Sequence, residues 1–209
     1  MLFRLGPISR WITSASCSIV FAILLVACGG SGNGGSTPTP TLTPTPTSPP
    51  PTPTPIPVIT FMGNGFTINY PQGWKTTKSG DHLVTFTDST GNLKLTITVA
   101  PDPNGAVSAD SFVDTEVKAA MAALKNSQME SAPSTVTVGG DSWNQKSASG
   151  IQRLNNQDTL IQLVVLADVH PANAPTSKAY TIVYGTAKSM FDQANTTYFQ
   201  PMLQSFKFM

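Results

Sequence analysis

The sequence is poor in charged residues and has no excess of positive charge. Charged side chains occupy 11% of its 209 positions, whereas an average soluble domain has about 25%. The formal net charge is only +1, and two of the basic residues, Arg4 and Arg10, lie close to the start of the chain. Proteins that bind nucleic acid carry clustered Lys and Arg on a strongly basic domain. The composition therefore argues against a nucleic-acid partner.

Cysteine and histidine are also scarce. The only cysteines, Cys17 and Cys28, lie within the first 28 residues, so the rest of the chain cannot form a disulfide framework. The only histidines, His82 and His170, do not have the spacing of a local metal motif such as His-x-x-x-His, and cysteine, a frequent zinc ligand, does not accompany them. We predict no metal and no cofactor from these residues, although a two-histidine site formed in space stays open.

The chain begins as exported proteins do. Arg4 and Arg10 precede an apolar run over residues 19–26, and a basic start followed by an apolar run is the layout of a secretory signal. The alternative is a retained transmembrane anchor. However, Thr, Ser and Cys side chains interrupt residues 11–27, and that stretch is shorter than the roughly 20 apolar residues of a membrane span. A cleaved signal peptide over residues 1–27 is therefore favoured.

The apolar run ends at Leu25-Val26-Ala27-Cys28, which is followed by the flexible Gly29-Gly30-Ser31-Gly32. This arrangement resembles the lipobox of bacterial lipoproteins. The resemblance implies that a diacylglyceryl group, with acyl chains such as palmitate, is attached to the Cys28 thiol and that the chain is cut just before Cys28. Two or three acyl chains anchor a protein stably, whereas one chain binds only marginally. The expected location is the extracytoplasmic side of the cell membrane, with Cys28 as the lipid attachment site.

Residues 28–57 form a low-complexity spacer, first rich in Gly and Ser and then, over residues 37–57, in Thr and Pro. Proline restricts itself and the residue before it to extended conformations, so the Thr/Pro part is expected to form polyproline II at about 3.1 Å per residue. Its reach is then on the order of 60 Å. The threonines are candidates for O-glycosylation, and a disordered tether without sugar is the alternative.

Residues 58–209 are predicted to form one globular domain of the α+β class, a curved antiparallel sheet with helices packed on it. Strands are predicted where apolar and polar residues alternate or where apolar residues form short runs, over 65–70, 82–88, 93–99, 135–138, 142–148, 158–169 and 179–185. A helix is predicted over residues 108–126, with Ser108 as its N-cap. A second helix is predicted from about residue 195, although Pro201 is unfavourable within a helix.

Four segments resemble PsbP/Mog1-type domains: residues 65–74, which end in Tyr70-Pro71-Gln72-Gly73-Trp74, the predicted hairpin over residues 82–99, the Val138-Gly139-Gly140 turn, and the closing residues 202–208. The similarity covers residues 61–208. It implies an α/β/α sandwich around a curved antiparallel sheet. It implies no common activity, because members include photosystem-associated, nuclear-transport and uncharacterised envelope proteins. No functional residue is carried over from that family.

Two short motifs are candidates for chemistry. Gly140-Asp141-Ser142 and the later Asp168-Val169-His170-Pro171 resemble the serine and histidine blocks of GDS-type esterases, but their order and spacing fit that pattern poorly, so a hairpin turn is favoured. Asp102-Pro103-Asn104-Gly105, with Asp110 downstream, offers oxygen ligands suited to calcium. It lacks the further ligands of an EF-hand, and an Asx turn leading to a helix is the favoured interpretation.

Several aromatic side chains could line a recognition surface or pack in the core: Tyr70, Trp74, Trp143, Tyr180, Tyr184 and Tyr198. Core packing is the favoured interpretation for most of them. Trp74, beside a Pro-Gly turn, is expected to cap the edge of the core, with most of its area buried against the sheet and a helix.

These observations favour a non-catalytic module of the cell envelope that binds a protein, a wall polymer or a small ligand through one sheet face or a helix–sheet groove. Two alternatives stay open. One is an envelope hydrolase whose site is assembled from distant residues, and the other is a structural stalk protein. The sequence identifies no catalytic residue and no partner beyond the membrane that the lipid would contact.

Overall fold

Two antiparallel sheets and a few helices make up the part of the chain that the computed structural model describes, residues 55–154 and 156–209. The predicted signal peptide, Cys28 and the spacer up to residue 54 lie outside the described residues. The strands are β1 (Val58–Met62), β2 (Phe66–Pro71), β3 (Lys75–Ser79), β4 (Leu83–Thr87), β5 (Lys94–Pro101), β6 (Lys125–Glu130), β7 (Thr135–Val138), β8 (Asp141–Leu154), β9 (Gln157–His170), β10 (Lys178–Ala187) and β11 (Lys207–Phe208).

The helices are α1 (Ala109–Ala122), α2 (Phe191–Ala194) and α3 (Gln200–Ser205), and a π-helical segment, Asn195–Phe199, joins the last two. Short 3₁₀ turns, Pro103–Gly105 and Lys188–Met190, precede α1 and α2. Among the described residues, no helix has both the length and the apolar character needed to cross a membrane.

The larger sheet has eight strands in the order β3-β4-β5-β10-β9-β8-β6, with β7 paired to β8. The smaller sheet has the order β1-β2-β11. Every strand pair is antiparallel. The predicted fold class, a curved antiparallel sheet with helices packed on it, is therefore confirmed. The sequence did not predict the second, smaller sheet. Its strands come from the two ends of the domain, which are far apart in the sequence.

The strand β9 separates two apolar cores. Leu163, Val165 and Ala167 pack on one side with Val113 and Val117 of α1. The alternate residues Val164 and Leu166 belong to the larger core, between the larger sheet, the smaller sheet and the C-terminal helical segment. A strand that is covered on both faces needs apolar residues at every position, which explains the uninterrupted apolar run over residues 163–167.

The helix α1 begins as predicted but ends early. Ser108 caps it, because its Oγ accepts a hydrogen bond from the Ser111 N–H at 3.2 Å. The predicted end near residue 126 is wrong, since α1 ends at Ala122 and residues 125–130 form the edge strand β6. This strand is polar and shows no alternation, so only its tertiary contacts reveal it. Glu130, the last residue of β6, accepts hydrogen bonds from Lys188, Ser149 and Gln128, and these contacts hold the strand in place. The same hydrogen bonds, the one from Lys188 most strongly, lower the pKa of Glu130 to about 2.

The C-terminal helical segment starts earlier than predicted, at Phe191 rather than near residue 195. Its expected inward residues are buried: Phe199, Met202, Leu203 and Phe206. Pro201 lies at the start of α3, directly after the π-helical segment Asn195–Phe199. The wider turn there accommodates a proline, which removes a backbone donor and would clash with the carbonyl four residues earlier in a regular helix.

Candidate binding groove

A groove of about 340 Å³ lies where the β1–β2 turn of the smaller sheet meets the β3–β4 turn of the larger sheet. We call it the rim groove, and it is lined by Phe61, Met62, Gly63, Asn64, Phe66, Lys78, Gly80, Asp81, His82, Leu83, Val84, Ile97 and Val99. Ligand sites in proteins commonly have volumes of about 300–1,000 Å³ and a mostly apolar lining with a few polar groups. The volume of the rim groove falls within that range.

The floor of the rim groove is apolar because two strands alternate in step. Val84 on β4 pairs directly with Ile97 on β5, and Val99 follows two residues later on the same face. These side chains are buried, as is Phe66 of β2, which joins them from the smaller sheet. Side chains on one face of a strand recur every second residue, so the alternation predicted for both strands produces this floor directly.

An aromatic ring and a lysine form one wall of the groove. The Phe61 ring meets Phe86 edge to face, with 5.3 Å between the ring centroids. The Lys78 ammonium lies 4.8 Å from the centroid of the Phe61 ring, within the range of a cation–π interaction. The contact joins β1 of the smaller sheet to β3 of the larger sheet and leaves a positive charge at the rim.

The β1–β2 turn lies directly on the groove floor, and a glycine makes this possible. A Cβ on Gly63 would lie 2.4 Å from Cε1 of Phe66, so a larger residue would push the turn away from that ring. The turn is closed by a hydrogen bond from the Gly63 N–H to the Phe66 carbonyl at 2.8 Å. Lys178 of β10 fixes its tip by donating to Oδ1 of Asn64 at 2.7 Å.

Charged and polar groups surround the groove entrance. Lys78, Asp81 and His82 lie on the larger sheet's side and are exposed, and Asn64 faces them from the smaller sheet. One basic, one acidic and one imidazole side chain around an apolar floor suit an apolar group flanked by hydrogen-bonding atoms. His82, one of the two histidines of the sequence, is thus part of the groove entrance, whereas His170 does not line the groove.

The second histidine, His170, lies close to Asp141, so the structure brings together one residue from each of the two motifs compared with esterases. Its Nδ1 lies 3.5 Å from Oδ2 of Asp141. Ser142, the residue that the esterase resemblance would use, is exposed on β8 next to Asp141. Successive residues of a strand point to opposite faces, so Asp141 rather than Ser142 faces the imidazole. Asp141, Asp168 and His170 are the one group of three metal-ligating side chains found within the described residues.

The Asp102 segment forms the turn that the sequence favoured. Oδ1 of Asp102 accepts a hydrogen bond from the Val107 N–H at 3.1 Å, and the Gly105 N–H donates to the Asp102 carbonyl at 2.9 Å. The Asp102 side chain is buried. Asp110 lies further on, exposed in the first turn of α1. Within the described residues, these two carboxylates do not join a group of metal-ligating side chains.

Most of the aromatic residues considered as recognition candidates pack in the core, as predicted. Trp143, Tyr180 and Tyr184 are buried, and burial raises the pKa of both tyrosines. Trp74 borders the larger core and is partly exposed. It contacts Tyr198 and Phe199 of the π-helical segment, with centroid distances of 5.8 and 6.4 Å, so it caps the core edge as expected.

Sequence reasoning missed the residues that build the groove wall. The strand β1 carries Phe61 and Met62, and its signal is the mostly apolar stretch Val58–Met62 directly after the spacer. The strand β3 carries Lys78 and has no such signal, because every residue from Lys75 to Ser79 is exposed. A strand without a buried face shows no alternation, so only its pairing with β4 identifies it.

No protein-family model matches the chain, and no curated protein matches it either. Solved structures with a similar fold exist. A Bacteroides thetaiotaomicron protein aligns with a TM-score of 0.43 and 12% identity over 69% of this chain and 45% of its own, so the chain spans less than half of its length.

Two smaller proteins align over most of their length. LpqN, involved in cell envelope biogenesis of Mycobacterium tuberculosis, has a TM-score of 0.41 and 13% identity over 73% of this chain and 90% of its own. The Saccharomyces cerevisiae Ran-binding protein Mog1p has a TM-score of 0.43 and 11% identity over 73% of this chain and 96% of its own. Similarity at this level concerns the fold alone and assigns no function to this chain.

Proposed function

We propose that this protein is a lipid-anchored extracytoplasmic lipoprotein whose globular domain is a non-catalytic binding module of the cell envelope. Cys28 carries the lipid, residues 1–27 are removed as the signal peptide, and residues 28–57 separate the domain from the membrane. The support for the anchor is the sequence Leu25-Val26-Ala27-Cys28 after an apolar run with a basic start.

The rim groove carries the binding part of the proposal. It has an apolar floor made by Phe66, Val84 and Ile97 and an entrance with charged and polar side chains. A membrane-anchored domain on a long spacer meets other envelope proteins within the reach of that spacer. The groove is proposed to accept an apolar side chain of such a protein, with the polar entrance groups contacting the adjacent backbone.

The partner segment is proposed to be extended, because β1 borders the groove and is an edge strand of the smaller sheet. Its side chains Val58, Ile59 and Met62 are exposed, and β1 contains no charged residue. Edge strands that must not pair with other chains are usually protected by charges such as Lys, and β3, the nearby edge of the larger sheet, carries Lys75 and Lys78. Strand addition along β1 would place alternate side chains of the partner beside the groove.

Photo-cross-linking in intact cells tests this proposal. A photoreactive p-benzoylphenylalanine replaces Met62, which lines the groove and is 68% exposed. The matched control carries it in place of Met129, which is 50% exposed on β6, at the other edge of the larger sheet from β3. We expect irradiation to produce a discrete protein adduct from the Met62 position and none from the Met129 position.

The specificity of that adduct is checked in a second variant background. Lys78→Glu reverses the charge at the groove wall and removes the cation–π contact with Phe61, whereas Lys118→Glu makes the same change on the exposed side of α1. The adduct is expected to weaken in the first background and persist in the second. Equal adducts from Met62 and Met129, or no protein adduct from Met62, would contradict the proposed binding surface.

A further inference from the structure

A cluster of two carboxylates and one imidazole lies away from the rim groove, at one end of the larger sheet. Asp141 is the first residue of β8, and Asp168 and His170 lie at the end of β9. One ligand atom from each side chain lies within 4.8 Å of the other two. Zinc binds oxygen and nitrogen ligands at about 2.0–2.2 Å, so two ligands of one ion lie at most about 4.4 Å apart. Small side-chain rotations would therefore bring these three atoms to a single cation.

Strand pairing brings these residues together. The β8–β9 register includes Asn144 opposite Ala167, and continuing it by three residues places Asp141 opposite His170. Asp168 and His170 are two residues apart on β9, so their side chains leave the same face of the strand. The β8–β9 pairing ends at Asn144 and Ala167, and the three ligands are held by other neighbours: Asp141 pairs with β7, and Asp168 and His170 pair with β10.

Aromatic stacking fixes the imidazole. The His170 ring is parallel to the Phe208 ring, with an angle of 3° and a centroid distance of 3.8 Å. Phe208 stacks in turn with Trp143, at 12° and 5.9 Å, and Trp143 is fully buried. The ring plane of His170 is therefore set by the larger core, and outer contacts that orient a histidine contribute strongly to metal affinity.

Within the described residues, the two carboxylates have no lysine partner. Within the described part of the chain, the ion pairs that involve lysine are Lys146 with Asp114 and Lys188 with Glu130. Lys178 lies opposite His170 on β10, but its ammonium donates to Asn64. A cation placed between the two carboxylates would offset the mutual repulsion of their negative charges.

We propose that Asp141, Asp168 and His170 form a binding site for a divalent transition-metal cation of the Zn²⁺ type. An imidazole nitrogen together with carboxylate oxygens suits such ions, whereas Mg²⁺ and Ca²⁺ take oxygen ligands. The side chains of His170 and Asp141 are 39% and 48% exposed, so the cation can enter from solvent and keep water or a partner's side chain as further ligands. The site is independent of the rim groove and of the proposed function.

Zinc titration of the full chain, purified metal-free in detergent, tests the site. We expect isothermal titration calorimetry with ZnCl₂ to show one site in the unaltered protein, with weaker binding of MgCl₂ and CaCl₂. His170→Ala and Asp141→Asn should each weaken Zn²⁺ binding by at least about 10- to 100-fold, the size that even outer contacts of a metal site contribute. His82→Ala and Asp158→Asn, which change the same residue types elsewhere, should leave the affinity unchanged.

A second readout does not depend on the variants folding. The chain has only two histidines, so their imidazole NMR signals can be distinguished in the unaltered protein. Zn²⁺ should move the signals of His170 and leave those of His82 in place. The proposal is overturned if no Zn²⁺ binds, if Mg²⁺ binds as tightly as Zn²⁺, if His170→Ala binds like the unaltered protein, or if the His82 signals respond instead.

Discussion

Replacing Trp143 with alanine is expected to lower the free energy of unfolding by about 3–5 kcal/mol, the usual cost of removing a large buried aromatic side chain. Trp143 is fully buried. It meets Phe206 edge to face at a centroid distance of 5.2 Å and stacks on Phe208 at 5.9 Å. Its indole N–H has no hydrogen-bond partner within the described residues. The loss therefore comes from burial and packing, and it is a large part of the roughly 5–15 kcal/mol that stabilises a domain.

Denaturant titration followed by circular dichroism measures this loss, with Trp74→Ala as the matched control. Trp74 is partly exposed at the edge of the same core. Trp74→Ala should therefore lower the free energy of unfolding clearly less than Trp143→Ala does. It returns less apolar area to water, and each Å² of that area contributes about 25 cal/mol. An equal cost at both positions, or a larger cost at Trp74, would contradict the placement of Trp143 at the centre of the larger core.

Gly139→Ala is the second substitution with a large expected effect, a loss of about 2–5 kcal/mol. Gly139 has a φ of +62° in the turn between β7 and β8, and a Cβ there would lie 2.5 Å from the carbonyl oxygen of Phe206. A positive φ costs an L-residue about 1–2 kcal/mol, and overpacking adds about 1–3 kcal/mol. The carbonyl belongs to the backbone just after α3, so it can move away only if the C-terminal segment shifts.

The neighbouring glycine separates these two contributions. Gly140 also has a positive φ, +99°, but a Cβ on it would meet nothing within 4 Å. Gly140→Ala should therefore show the cost of the backbone conformation alone, about 1–2 kcal/mol. The difference between the two variants, measured by the same titration, reports the contact between the turn and the C-terminal segment. Equal losses would show that this contact does not restrain the turn.

The sequence predicts the parts of this fold that have a buried face. The alternation in β4 and β5, the apolar run over residues 163–167 in β9 and the apolar stripe of α1 are local patterns, and each corresponds to an observed element. The strands β3 and β6 are exposed edge strands of polar composition. Their pairing depends on residues distant in the sequence, so no local pattern could reveal them.

The sites were predictable to a smaller extent. The rim groove joins Met62, Lys78 and Val99, which come from three separate strands of two sheets, and the packing of those sheets is not encoded in any one segment. The Asp141, Asp168 and His170 cluster was partly visible, because the two motifs that contain these residues stood out in the sequence. The chemistry differs from the esterase comparison because strand alternation turns Asp141, and not Ser142, toward His170.

The proposed membrane location depends on one residue, Cys28, which directly follows the proposed signal peptide, residues 1–27. Metabolic labelling with an alkyne analogue of palmitate, followed by cell fractionation, tests the lipid anchor directly. The unaltered protein and Cys17→Ser, which removes the other cysteine, should both be labelled and should sediment with membranes. Cys28→Ser should lose the label and move to the soluble exported fraction. A labelled Cys28→Ser variant, or one that stays with the membranes, would contradict lipid anchoring at Cys28.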